Sequence, residues 1–287
     1  MRRSFDEMMD LILEKARSDE RIRAVTMEGS RANANAVHDA YSDFDISYYV
    51  RDIRDFTRDI NWVECFGEIL IMQCPDDWYD HPYDYEGHED FGWLIQFADG
   101  NRIDLGLTDI RNMDRVAQNV EPRIVLLNKD NFKELIPVSS EAAYYIKKPG
   151  ETEYAQTCNE FRWVSIYVTK GLCRREIYYA KHIYQLVTDM FIKMLNWKVG
   201  VDHDFSVTTG SSSKYLKRFL TPEEMERFQG IFPDGEYEQI WQKLFVMYDY
   251  FAELAEYVAG KLGYFSDREQ TRRVREFMME RRNENAL

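Results

Sequence analysis

Three aspartates and a Gly-Ser pair carry the clearest chemistry in this 287-residue chain: Asp43 and Asp45 in the run Asp43-Phe44-Asp45-Ile46, Asp104 in Ile103-Asp104-Leu105, and Gly29-Ser30 upstream of both. Side chains alternate along a strand, so Asp43 and Asp45 share one face while Phe44 and Ile46 take the other. Neighbouring carboxylates repel unless a cation lies between them, and partial burial raises the cost. Hard oxygen donors on a rigid strand suit magnesium, which keeps coordination positions open for phosphate oxygens. Asp104, flanked by apolar residues, provides a third carboxylate on a separate strand. Two ions about 3.5–4 Å apart can serve both the attacking and the leaving oxygen of an in-line phosphoryl displacement. Gly29 lets the backbone approach a phosphate closely, and the Ser30 hydroxyl and nearby amides can bind its oxygens. Arg31 stands next to them as a candidate triphosphate contact.

The elements that must position these residues can be read from periodicity. Phe5, Met8, Met9, Ile12, Leu13 and Ala16 recur at helical spacing. Strands are expected over 22–27, 43–50, 68–73 and 123–127, and a hairpin over 91–98 and 101–108 about Asp99-Gly100. Gly29-Ser30 ends the first strand and is expected to open a helix. From Thr152 onward the style changes: 152–172, 176–197 and 237–262 show broad apolar stripes, and Thr221-Pro222-Glu223-Glu224 marks a helix start. The expected class is α/β in the α+β sense. A mixed-sheet catalytic domain over 1–148 is followed, across Lys147-Lys148-Pro149-Gly150, by a helical-bundle domain over 149–287.

Composition excludes several classes. A formal net charge of -14 repels nucleic acid and favours cationic ligands. No apolar run approaches the length of a membrane span, and the N-terminal residues lack the apolar stretch of a secretory signal, so a cytoplasmic protein is expected. Cys65, Cys74, Cys158 and Cys173 form no CxxC pair and read as reduced thiols. Residues 76–90 hold seven acids and no lysine or arginine. They read as a solvated loop, with a steering lid for a polycation as the second reading. His81 and His88 lack the regular spacing of a transition-metal site. The arginine-rich tail from Arg268, interleaved with glutamates, reads as a solvated amphipathic helix.

The order of strand, Gly-Ser, a fourteen-position step to Asp-x-Asp and a distant strand aspartate is the signature of the nucleotidyltransferase superfamily. The segments 20–31, 42–48, 66–67, 72–77 and 97–105 resemble the aminoglycoside 6-adenylyltransferases, as do 158–161, 168–172 and 214–220. The resemblance spans nearly the whole chain and is weakest in about the last 25 residues. It implies a resistance-type enzyme that transfers AMP from ATP to the 6-hydroxyl of streptomycin with magnesium, releasing pyrophosphate. Carried over by position, Asp43 and Asp45 would be metal ligands, Asp104 would complete the site and act as general base, and Gly29 and Ser30 would hold the triphosphate. Lys214 would reach it from the helical domain. Apart from the resemblance, Glu160, in a helix beside Phe161 and Trp163, reads as a helix-surface acid with core aromatics; the second reading is that it accepts hydrogen bonds from a cationic acceptor with the aromatics stacked alongside. The chain departs from the family pattern at Ser211, where a lysine is usual, and across 81–90, and both changes bear on the acceptor. The alternatives are a nucleotidyltransferase acting on another aminoglycoside, a lincosamide-like drug or a protein hydroxyl, and a non-catalytic nucleotide-binding module.

Overall fold

The computed structural model describes residues 1–84 and 90–285. Residues 85–89 of the acidic segment, His88 among them, lie outside the described residues. The chain divides into two compact units, Met1–Ala143 and Tyr144–Leu287.

The first unit is built on a six-stranded sheet: β1 (Ile22–Met27), β2 (Phe44–Val50), β3 (Ile69–Gln73), β4 (Asp90–Phe97), β5 (Arg102–Asp109) and β6 (Ile124–Asn128) in the spatial order β3-β4-β5-β2-β1-β6. All neighbours pair antiparallel except β2 and β5, which are parallel. Helix α1 (Phe5–Ser18) starts at a reciprocal Ser4–Glu7 cap, with acids in the first turn and Lys15 and Arg17 in the last. It buries Met8, Met9, Ile12 and Ala16 with the sheet's apolar residues. Strands β4 and β5 alternate strictly between buried and half-buried positions, the period-two record of one face turned to the core and the other left accessible. Phe91, Trp93, Ile95, Phe97, Ile103, Leu105 and Leu107 form the buried set, and Trp62 meets Trp93 edge-on at 5.7 Å. The β4–β5 hairpin turns at Asp99-Gly100 as the dipeptide predicts. Gly100 takes φ +87, which disfavours a side chain, and Arg3 clamps the Asp99 carboxylate at 2.6 Å. The one-turn α2 (Gly29–Ala32) follows β1, and the short α3 (Arg54–Thr57) and α4 (Met113–Gln118) lie in connections.

The second unit consists of α5 (Glu151–Cys173), α6 (Ile177–Asp202), α7 (Pro222–Gln229), α8 (Tyr237–Leu262) and α9 (Arg268–Asn285). Its core is aromatic: Phe161 of α5 stacks on Phe251 of α8 with centroids 3.6 Å apart and rings within 4° of parallel. Thr221 caps α7 in a reciprocal box with Glu224, as its sequence predicts. Several arginines of α9 are matched by acids: Arg272 with Glu269 and Glu276, and Arg275 with Asp249. All four cysteines are free thiols. No helix among the described residues is long and apolar enough to cross a membrane.

Candidate active site

Strand register brings the distant aspartates together. In the parallel β2–β5 pair Asp45 stands directly opposite Asp104, flanked by the pairs Phe44–Ile103 and Ile46–Leu105. These four apolar residues are all buried, so the core fixes the face on which both carboxylates emerge. Asp43, expected inside the strand, instead lies one residue ahead of it, since β2 opens at Phe44. Its backbone is nonetheless pinned. Arg31, the residue expected to reach the triphosphate, donates from Nε to the Asp43 carbonyl at 2.8 Å and from Nη2 to the Ser42 carbonyl at 2.7 Å. Its guanidinium lies over the Phe44 ring, 4.0 Å from the centroid.

Gly29 is required by two independent facts. Its φ is +64, and a Cβ built on it would collide with Oδ2 of Asp45. The Gly-Ser turn is therefore packed directly onto the central carboxylate. The preceding amide, that of Glu28, donates to the Asp45 carbonyl at 2.9 Å, and His38 Nε2 donates to the Ser30 carbonyl at 2.9 Å.

The charges are unevenly compensated. Arg102 grips Asp104 with two hydrogen bonds, Nε to Oδ1 at 2.7 Å and Nη2 to Oδ2 at 2.8 Å, and its Nε lies 3.7 Å from Asp43 Oδ2. No hydrogen bond or ion pair from the described residues reaches the Asp45 carboxylate. Burial, then the negative charges of Asp104, Asp43 and Glu28, push Asp45 up to about 6. Glu28 is also pushed up by burial, although the Thr26 hydroxyl and Ser47 Oγ, the latter at 2.9 Å, both donate to it. Among the described residues no three carboxylate, imidazole or thiol side chains are already gathered as a metal cage. The donor chemistry nonetheless fits a hard divalent ion: oxygen ligands on adjacent strands, one of them lacking a cationic partner.

The structure thus brings Asp43, Asp45, Asp104, Gly29, Ser30 and Arg31 into one region of the first unit. Glu160 and Lys214 belong to the second unit. Glu160 is exposed on α5, and Trp163 one turn further on is 55% exposed, with its Nε1 donating to Tyr167 Oη at 3.0 Å. Phe161 is wholly buried against Phe251, as the reading of a surface acid beside core aromatics expects, and not stacked beside Glu160; its position in the helical repeat points it the other way. Lys214 follows a constrained segment in which Gly210, Ser212 and Ser213 all have positive φ, and its ammonium lies over the Tyr215 ring. Ser213 Oγ accepts from Asn196 Nδ2 at 2.9 Å. Sequence reasoning missed Glu28 and Arg102. Both were accessible to it: Arg102 shares a strand face with Asp104 by period two, and Glu28 adjoins the Gly-Ser turn.

Comparison with known proteins decides the family. The model of the streptomycin adenylyltransferase family matches residues 1–281. The chain belongs to the streptomycin adenylyltransferase family. A member of this family is a nucleotidyltransferase, so the cluster on β2 and β5 belongs to an enzyme that transfers an adenylyl group. Curated relatives include an aminoglycoside 6-adenylyltransferase of Bacillus subtilis (strain 168), 37% identical over 91% of this chain and 92% of its own length. Another, from Campylobacter jejuni, is 35% identical over 91% of this chain and 90% of its own. One from Staphylococcus aureus is 30% identical over 91% of each. A solved structure, an aminoglycoside 6-adenyltransferase from Bacillus subtilis, is 33% identical, covers 97% of this chain and 98% of its own, and has a TM-score of 0.48.

Proposed function

We propose that this family member transfers AMP from ATP to the 6-hydroxyl of an aminoglycoside, streptomycin foremost, with two magnesium ions at Asp43, Asp45 and Asp104, and that it acts in the cytoplasm as a resistance enzyme. The observation that carries the reading is the pairing of Asp45 with Asp104 across β2–β5, with Asp43 alongside and the Gly29-Ser30 turn packed onto Asp45. The curated relatives, named for the same 6-adenylylation, support the choice of acceptor class.

Asp43, Asp45 and Asp104 would hold magnesium, which would supply charge neutralisation for the triphosphate and the transferring phosphoryl group. Gly29 keeps the backbone open to phosphate oxygens, and Ser30 donates its hydroxyl to them. Arg31 acts by holding the Asp43 backbone in place. The acceptor hydroxyl loses its proton to Asp104 as its oxygen forms a bond to the α-phosphorus. The bond from that phosphorus to the bridging oxygen breaks, and pyrophosphate leaves. Lys214 binds the triphosphate as a point charge, and Glu160 with Trp163 receives a cationic group of the acceptor.

The test is a panel of aminoglycosides incubated with ATP and magnesium and read by the mass of the drug and by pyrophosphate release. Streptomycin should gain one AMP, and Asp45→Asn should lose turnover by about 10³-fold or more while keeping a native circular dichroism spectrum. Unmodified drugs throughout the panel, or a fully active Asp45→Asn enzyme, would end the reading.

A further inference from the structure

We propose that Arg102 is a built-in counter-cation that occupies Asp104 before the metal arrives and competes with the divalent ion for that carboxylate. The inference rests on the magnesium reading above and adds to it a residue that sets metal affinity.

The argument starts from strand geometry. Arg102 and Asp104 are two residues apart on β5 and therefore share a face. The guanidinium takes both Asp104 oxygens, at 2.7 and 2.8 Å, and extends to 3.7 Å from Asp43. It thus reaches two of the three proposed ligands, while Asp45 has no ion pair among the described residues. A carboxylate engaged in a two-pronged arginine pair has both oxygens committed, and a metal must displace at least one bond to coordinate it. Displacement is accessible, because the Arg102 side chain is 37% exposed and can swing outward by side-chain rotation with the strand unchanged. The released planar fork matches a phosphate as well as it matches a carboxylate. A nucleotide arriving with the ion offers Arg102 a new partner, so metal and triphosphate each strengthen binding of the other.

The test uses the full-length enzyme and manganese as the probe, with free manganese read by electron paramagnetic resonance, without nucleotide and then with a non-hydrolysable ATP analogue. Arg102→Gln should bind manganese about tenfold more tightly than wild type when nucleotide is absent, and the analogue should improve its affinity less than it improves that of wild type. Arg102→Lys, which keeps the charge and loses the fork, should fall between them, and it carries the test if the glutamine variant does not fold. Equal or weaker manganese binding by both variants, with binding still abolished by Asp45→Asn, overturns the role of Arg102 and leaves the magnesium reading standing. Absence of manganese binding in wild type and in both Arg102 variants, with and without the analogue, overturns the magnesium reading and this inference together.

Discussion

The two units of the chain solve opposite problems. In the first, the accessible face of the sheet gathers like charges: Asp45 and Asp104 are held side by side by register, with Asp43 and the half-buried Glu28 nearby, and the fold tolerates the repulsion because an apolar layer on the other face leaves the strands no alternative. In the second, the interior gathers rings, with Phe161 against Phe251 and Phe191 against Tyr250; apart from the buried Arg162, held by the Cys158 carbonyl and Gln270, charges are paired nearer the surface, as in Arg275–Asp249. One unit concentrates like charges at its candidate site; the other packs an apolar, largely aromatic core. Electrostatic tension and stability should therefore separate under mutation.

The sharpest break would come in the helical unit. Phe161→Ala removes a wholly buried ring from a stacked pair and should destabilise by about 3–5 kcal/mol in urea denaturation, with the folded fraction retaining its manganese affinity. Next, Gly29→Ala should lower turnover by about 10²-fold in a pyrophosphate-release assay, because the new methyl must displace the Asp45 carboxylate and the residue must keep φ +64. Its melting temperature should fall far less than that of Phe161→Ala.

Two smaller effects sharpen the contrast. Glu160→Gln should raise KM for a cationic acceptor about tenfold, roughly what one exposed charge-assisted hydrogen bond contributes, with kcat unchanged. The last prediction concerns Asp45 and pH. A carboxyl whose folded value is raised favours its neutral form in the fold, so ionisation costs stability. The cost is absent below its ordinary value of 3.8, grows as pH rises toward about 6, and is constant above. In EDTA, Asp45→Asn should therefore melt a few degrees higher than wild type above pH 6, with the difference vanishing near pH 4, and saturating magnesium should erase or reverse the gain. A variant less stable than wild type at neutral pH without metal would show that the tension at Asp45 is already relieved.

Much of the first unit was legible because its signals are local and periodic. Alternation located β4 and β5 and the Asp-Gly turn joined them; β1 matched its predicted span. The juxtaposition of Asp45 with Asp104 could be expected only from the shared chemistry of the residues, because pairing register is a property of two strands and not of either alone. Strand β2 began one residue late because Asp43 is held by Arg31 and not by the ladder. Arg102 went unnoticed because an arginine beside an acid on a strand is usually a surface pair; its meaning depends on which other carboxylates face it. In the helical unit the long apolar stripes revealed the helices, and the divergence of helix neighbours by about 100° explains why Phe161 is core while Glu160 is exposed. The backbone of Gly210, Ser212 and Ser213 left no trace in the sequence, since serine ordinarily avoids positive φ.

The parallel pairing of β2 with β5 has a consequence for how such a chain can change. Asp45 meets Asp104 through the ladder between two core strands, so the long excursion between them, through β3, the acidic segment and β4, does not set the spacing of the two carboxylates. Insertions and deletions in its exposed turns can reshape what approaches the paired carboxylates while their spacing stays fixed. A slip of one residue along either strand, by contrast, would turn one aspartate into the hydrophobic interior.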